Sequence, residues 1–270
     1  MCSYLKRKKK ISAEIATVMT DFAPHDQWLI GSDFTNYYFV ANDKMKTYLI
    51  NKNISEEKVF VTGIPLSSKF LQEHDTKNIL HEFNLRVNKK NILFFGGGEF
   101  GLGKTRTFDI FETFVKNCND MQIIAIAGKN KKMKEAFKEI ITRNNADSYV
   151  RILGFTSKIP ELMSISDLVV TKPGGMTTTE SLASHLPMVI INPIPGQEEE
   201  NAQFLEEHGV AVWIKKRTNV SKVIHDLFSN SDRLEMMKKN TKILAKPYST
   251  QNICDILLKN TNNIVTKNID

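Results

Sequence analysis

Two patterns of apolar residues divide this sequence. From Asn91 onward, short runs of aromatic and β-branched residues alternate with longer stretches whose apolar positions recur at helical spacing. The runs at 91–95, 121–127, 149–153, 167–171, 188–191 and 210–214 are almost wholly apolar, which predicts strands covered on both faces. Between the second and third runs, Met133, Phe137, Ile140 and Ile141 stand at i, i+4, i+7 and i+8, one stripe of an amphipathic helix over 131–143. Strand–helix alternation with short connections predicts right-handed crossovers and a doubly wound parallel sheet. Six such units make a complete Rossmann-like domain. The segment after Val220 reads as helices, the last beginning at 249, just beyond Pro247.

Upstream the pattern is sparser. Runs at 15–20 and 37–41 predict strands, Asp43–Asn51 a helix, and 59–62 a short strand leading into Gly63-Ile64-Pro65. That is about half of a second α/β domain, and a sheet this small leaves an edge strand and one apolar face uncovered. The polar stretch LQEHDTK at 71–77 reads as the linker. The expected organisation is a partial N-terminal domain over 1–72, a complete C-terminal domain over 78–248, and a helix and tail over 249–270.

Composition narrows the function classes. With 41% apolar residues the chain is not wholly disordered. Its longest clean apolar runs fall far short of the ~18 residues of a spanning helix. The start is basic without an apolar core or a small-residue cleavage site, so no secretory signal is expected there. Three scattered cysteines, Cys2, Cys118 and Cys254, predict a reducing, cytoplasmic setting and no disulfide framework. The net charge of +7 favours anionic partners without choosing among them. Its densest block is KRKKK at 6–10, after Tyr4 and Leu5. The block reads either as a solvated helix face or as a contact to an anionic membrane surface, where each such residue contributes about 1 kcal/mol. No aromatic or glycine pattern accompanies the charges, so nucleic acid is not an expected partner. The six histidines have no ligand spacing with one another or with cysteine, and no metal site is predicted.

The chemistry concentrates in three strand-to-helix turns. The first, GGGEFGLGK at 96–104, contains Gly96, Gly97 and Gly98, and 98–105 satisfies the P-loop pattern G-x-x-x-x-G-K-[ST]. A P-loop NTPase also needs a strand ending in an acid to hold Mg²⁺. The following strands end in Ala127-Gly128, Leu153-Gly154 and Thr171-Lys172, so the NTPase reading stands as the lesser alternative. The second turn, KPGGMTTTE at 172–180, joins Lys172, Gly174 and Gly175 to Thr177, Thr178, Thr179 and Glu180. Two glycines admit close backbone approach, and a helix starting there aims free N–H groups at an anion. A carboxylate one turn further in suits the vicinal hydroxyls of a ribose. The third turn, PIPGQEEEN at 193–201, carries Gln197 and Glu198, whose plain reading is an acidic helix start. All three lie at the C-terminal ends of parallel strands, where open α/β sheets bind ligands. The sequence has no D-x-D metal clamp, so helix N-termini, Lys172 and hydroxyls would have to stabilise a diphosphate leaving group.

TDFAPHDQW, GGGEFGLGK, KPGGMTTTESLA and NPIPGQEEENA together resemble the family 28 glycosyltransferases acting on lipids, over roughly 15–258. Within that family the monogalactosyldiacylglycerol synthases and processive diacylglycerol glucosyltransferases are the most similar. The resemblance implies a GT-B fold and an inverting, metal-independent transfer of hexose from UDP-glucose or UDP-galactose to a diacylglycerol-type lipid. No cofactor beyond that donor is expected. It implies that Gly96, Gly97 and Gly98 approach the diphosphate, and that Gly154 and Phe155 lie against the uracil. Gly174, Gly175, Thr177 and Thr178 would hold phosphates, Glu180 the ribose hydroxyls, and Gln197 and Glu198 the hexose. The protein is expected at the cytoplasmic face of the membrane, attached peripherally.

The family carries a Gly-rich loop with a histidine proposed as base in a region preceding TDF, and this chain begins after it. Of the acceptor side it keeps Asp21, His25, Asp26 and Trp28. His25 and Asp21 are the catalytic candidates among them; His25 suits general-base work in principle, but a structural or acceptor-contact role is the expected one. An upstream partner segment or a second copy of the chain is the expected protein partner. A non-catalytic UDP-sugar-binding half that needs such a partner is the alternative reading.

Overall fold

The computed structural model describes residues 1–97 and 104–267, with the side chains of all of these except 104, 231 and 260–267. The chain forms two compact units, Met1–Ser67 with Lys246–Asp270, and Ser68–Ala245.

The larger unit holds six parallel strands: β4 (Asn91–Phe95), β5 (Gln122–Ile126), β6 (Val150–Leu153), β7 (Leu168–Thr171), β8 (Met188–Ile190) and β9 (Ala211–Trp213). Their order across the sheet is β6-β5-β4-β7-β8-β9. This is the 3-2-1-4-5-6 order of a doubly wound dinucleotide fold. The helices after them are α4 (Lys104–Asn117), α5 (Lys131–Arg143), α6 (Ile159–Ser164), α7 (Gly175–Ala183), α8 (Gln197–Glu207), α9 (Val220–Phe228) and α10 (Ser231–Leu244). The stripe expected on α5 is the buried one: Met133, Phe137, Ile140 and Ile141. Phe94 on β4 packs edge-on against Phe111, Phe114 and Phe137 with ring centroids 5.0–6.0 Å apart. Each such pair adds about 0.5–1.5 kcal/mol beyond area burial.

The smaller unit has a parallel sheet ordered β1-β2-β3, from β1 (Ala16–Val18), β2 (Tyr37–Val40) and β3 (Val59–Val61), with α1 (Cys2–Arg7) before it and α2 (Asp43–Asn51) after β2. Asn42 caps α2 by accepting from the Met45 N–H at 3.0 Å, and Met45 and Leu49 are buried. The basic block straddles α1. Lys6 Nζ donates to Asn36 Oδ1 at 3.1 Å, while Arg7 and the three lysines after it are exposed.

Domain boundaries differ from the expected ones in two places. The stretch 71–77 is not a linker. Ser68–Leu71 forms a 3₁₀ turn, and Asp75 caps α3 (Thr76–Glu82) by accepting from the Lys77 and Asn78 N–H groups at 3.0 and 3.1 Å. Its polarity is that of a cap, and Ile79 and Leu80 behind it are buried. The C-terminal helix α11 (Ser249–Lys267) is not a separate tail but part of the smaller unit. Ser249 Oγ donates to the Ile64 carbonyl at 2.5 Å, and Thr250 Oγ1 accepts from the Leu66 N–H at 2.9 Å. Ile253 is buried with Tyr37 and Phe39, covering an apolar side of the sheet that the short upstream pattern left bare.

Candidate functional site

The strand order places β4 beside β7, with their crossovers departing in opposite directions. This is the switch point where such sheets bind ligands. Both turns that leave it are glycine-built. A Cβ at Gly96 would stand 2.9 Å from Phe137 Cζ and 3.0 Å from Met133 Cγ, so a side chain there would collide with the buried face of α5. Gly97 has φ +95°, and the position of a Cβ there is 3.9 Å from Lys172 Cε, so the β4 turn meets the turn after β7. Gly98 and the remainder of the P-loop letters through 103 lie outside the described residues.

The turn after β7 enters α7 through Gly174, which has no side chain to cap it. Helix geometry leaves the N–H groups of Gly175, Met176 and Thr177 without an intrahelical partner, and they have no acceptor among the described residues. Such a terminus attracts an anion by about 0.3–1 kcal/mol when exposed and up to ~2 when partly buried. The three threonines part company here. Thr177 is half-buried. Thr179 Oγ1 donates back to the Gly175 carbonyl at 2.8 Å. Thr178 is fully buried with its hydroxyl unpaired among the described residues. Of the two threonines expected to hold phosphate, Thr178 thus has its hydroxyl turned into the core. Helical spacing turns position 178 inward with Ser181 and Leu182, and Thr177 is the presented hydroxyl.

Glu180 follows on the same helix. Its carboxyl is half-buried, accepts no hydrogen bond among the described residues, and is pushed up by burial to about 7. A carboxylate with no donor among the described residues is poised to take donors from a ligand.

The third turn is tied to the second. Asn201 on α8 is fully buried, and its Nδ2 donates to the Pro173 carbonyl at 3.0 Å. Asn192, at φ +44°, donates from Nδ2 to Thr107 Oγ1 at 2.8 Å, tying the end of β8 to α4. Glu198 Oε2 accepts from the Ile194 N–H at 2.7 Å, which closes the loop on itself. Its other oxygen stands 4.0 Å from where a Gly174 Cβ would be, so Glu198 borders the α7 terminus with one oxygen committed to the loop. Gln197 is exposed at the start of α8. Sequence reasoning missed Asn201 and Asn192. The available signal for Asn201 was an uncharged amide four positions after Gln197 on a helix otherwise opened by three acids.

At the far side of the sheet, Gly154 follows β6 and packs on the turn after β5, where a Cβ would meet the Gly128 carbonyl at 3.6 Å. Phe155 is 72% exposed, unusual for a phenylalanine, and Lys129 Nζ stands 5.2 Å from its ring centroid.

In the smaller unit, the loop after β1 brings His25 Nε2 to 4.0 Å from Asp21 Oδ2, with the His25 ring 5.5 Å from that of Trp28. Asp26 is drawn away to α2. It accepts from Tyr48 Oη at 2.5 Å and pairs with Lys52, and the Tyr48 hydroxyl is the main cause that holds its carboxyl below the usual range. Asp21 and His25 are thus brought together and Asp26 is not.

Residues 103–253 match the glycosyltransferase family 28 C-terminal domain, and residues 1–66 match monogalactosyldiacylglycerol (MGDG) synthase. The chain belongs to glycosyltransferase family 28. The last P-loop letters, at 103–105, fall inside this match, and the strands after them end without an acid, so the NTPase reading is set aside. A processive diacylglycerol beta-glucosyltransferase of Bacillus subtilis (strain 168) is 32% identical over 250 residues, which is 93% of this chain and 64% of that protein. The enzyme of the same name from Staphylococcus aureus (strain JH9) is 35% identical over 256 residues, 95% of this chain and 64% of that protein. The family 28 chain thus spans about two-thirds of the length of the curated relatives it matches. Among solved structures, Anabaena HepE in complex with UDP superposes with a TM-score of 0.63 at 16% identity, covering 96% of this chain and 75% of that one. That likeness concerns the fold, which is α/β of GT-B type.

Proposed function

We propose that this chain belongs to a hexosyltransferase that moves glucose or galactose from a UDP-sugar to a diacylglycerol-type lipid, inverting the anomeric centre. The observation that carries the reading is the start of α7, without a side-chain cap, beside the half-buried Glu180, which has no partner among the described residues, at the β4/β7 switch point. Support comes from two relatives named as processive diacylglycerol beta-glucosyltransferases and from a fold neighbour solved with UDP.

In this reading the UDP diphosphate sits on the free N–H groups of Gly175, Met176 and Thr177, against the Gly96-Gly97 turn, with Lys172 and the Thr177 hydroxyl completing the donors. Glu180 accepts from the two ribose hydroxyls, Phe155 stacks on the uracil beside Gly154, and Gln197 with the free oxygen of Glu198 faces the hexose. An acceptor hydroxyl attacks the anomeric carbon and UDP departs. The negative charge that develops on the β-phosphate is met by donors already in place. His25 with Asp21 serves the acceptor side, and the base the family resemblance implies lies in the region preceding TDF. The membrane attachment is assigned to exposed Tyr4, Ile30 and the basic residues from Arg7. No described helix is long and apolar enough to cross a membrane.

The test is radiolabelled transfer from UDP-glucose and UDP-galactose to diacylglycerol micelles, using this chain alone and fused behind the region that precedes TDF in the Bacillus subtilis relative. UDP binding by both proteins and labelled glycolipid from the fusion are expected. A fusion that binds UDP and labels no lipid would overturn the reading. Robust turnover by the chain alone, abolished in His25→Ala, would make His25 the base.

A further inference from the structure

A second ligand-sized space opens on the same edge of the larger sheet, where β8 and β9 end. It is a cavity of about 450 Å³, within the ~300–1,000 Å³ typical of small-molecule sites. Pro193, Ile194, Pro195 and Trp213 give it apolar walls, and among the described residues none of the β4 and β7 turns, Gly96, Gly97 and Lys172 to Gly175, lines it. Its charged groups are mostly positive. Arg106, in the first turns of α4, is fixed by donating from Nη2 to the Ile214 carbonyl at 3.1 Å. Its remaining guanidinium N–H groups have no acceptor among the described residues. Lys216 is exposed and makes no ion pair among the described residues. Lys215 is already engaged, with Glu206 Oε2 at 2.8 Å and the Trp213 ring centroid at 4.8 Å. One acid, Glu199, joins the lining, and a positive surplus remains with both it and Glu206 counted.

A fixed guanidinium fork beside a mobile ammonium recognises an anion with several oxygens, which a phosphate provides in three directions. Proline, isoleucine and tryptophan next to those cations recognise an apolar body carried by the same molecule. We propose that this cavity binds a phosphomonoester borne on an apolar carbon skeleton, at a site separate from the UDP-sugar site. The ligand also bears on the neighbouring turn. The Pro193–Pro195 wall belongs to the loop that Glu198 closes through the Ile194 N–H, so occupancy fixes the loop that presents Gln197 and Glu198.

The protein carries a convenient reporter, because its two tryptophans are Trp28 and Trp213. In Trp28→Phe, emission reports Trp213 alone. Monomeric octyl phosphate is expected to shift that emission saturably, while octyl glucoside and inorganic phosphate at the same concentrations do not. Arg106→Gln should weaken the apparent affinity about tenfold, and Lys216→Gln, an exposed position whose change does not disturb folding, severalfold. A shift seen with hexadecyl phosphate in phosphatidylcholine vesicles but not with the monomer assigns the phosphate to a bilayer surface, and the converse assigns a soluble ligand. Equal responses to octyl phosphate and octyl glucoside would overturn the proposal. So would a response unchanged in both variants, or none with either phosphate source. UDP titration of the same proteins keeps this outcome separate from that of the donor site.

Discussion

Replacing Glu180 by glutamine should make the unliganded protein more stable and its UDP complex weaker. Glutamine keeps the volume and removes the charge. Burial holds the Glu180 carboxyl at about 7 instead of its ordinary 4.5, with no donor among the described residues to compensate. The sign follows from linkage: between pH 4.5 and 7 the unfolded chain has lost a proton that the folded chain keeps, so stability falls as pH rises through that window. At ~1.4 kcal/mol per pH unit the shift would cost about 3 kcal/mol in a dry site; solvent screens a half-buried carboxyl, so the cost above pH 7 is on the order of 1–2 kcal/mol, and the glutamine variant does not carry it. Ligand binding has the opposite sign. A ribose supplies two hydroxyl donors that favour the carboxylate, and losing hydrogen bonds to a charged partner costs about 1.5–3 kcal/mol, or roughly 10- to 150-fold in Kd. Thermal melts of both proteins from pH 4.5 to 8.5 and calorimetric UDP titrations across the same range measure both effects. Wild-type affinity should fall below pH 7, and that of Glu180→Gln should stay flat. Equal UDP affinity in the two proteins at pH 8 would remove Glu180 from the site, and equal melts above pH 7 would refute the buried, unpaired carboxyl.

Three further outcomes follow from particular contacts. Asn201→Ala leaves the buried Pro173 carbonyl without its donor, which should cost about 1–3 kcal/mol in denaturant midpoint and weaken UDP through the displaced α7 turn. Glu112 is held down to about 2, chiefly by Arg143 and then by Lys116 and Asn144. The stability this gives is present above pH 4.5 and lost as pH falls toward 2, so the gap between wild type and Arg143→Ala in urea titrations should close over that window. Changing the lysines at 8, 9 and 10 to glutamine should reduce pelleting with anionic vesicles. The wild-type pelleting should itself fade as salt shortens the Debye length from ~10 Å at 0.1 M to ~3 Å at 1 M, and equal binding to neutral vesicles would refute the electrostatic attachment.

Much of this was legible in the residues because buried parallel strands write themselves as short apolar runs. Each of the six runs from Asn91 onward contains its strand, differing at the ends by a residue or two. Glycine turns after β4 and β7 were readable because close packing, on α5 at Gly96, excludes any side chain there. Polarity misled at 71–77, since a capping aspartate and a linker look alike until the buried Ile79 and Leu80 are seen behind it. The home of α11 was hidden because its contacts to Ile64 and Leu66 join residues some 185 positions apart. Three threonines in a row conceal a helical period, so which one faces inward is set by the register that Gly174 gives α7. Asn201 escaped because the one signal, an uncharged amide four positions after Gln197, does not name the Pro173 carbonyl it donates to, 28 positions away.

UDP binding by this chain tests the central claim most directly. Calorimetry with UDP and ADP, each with Mg²⁺ and with a chelator, should give one UDP site per chain in either condition, with ADP at least tenfold weaker. Tight, Mg²⁺-dependent ADP binding with none of UDP would contradict the account and restore the P-loop at 98–105.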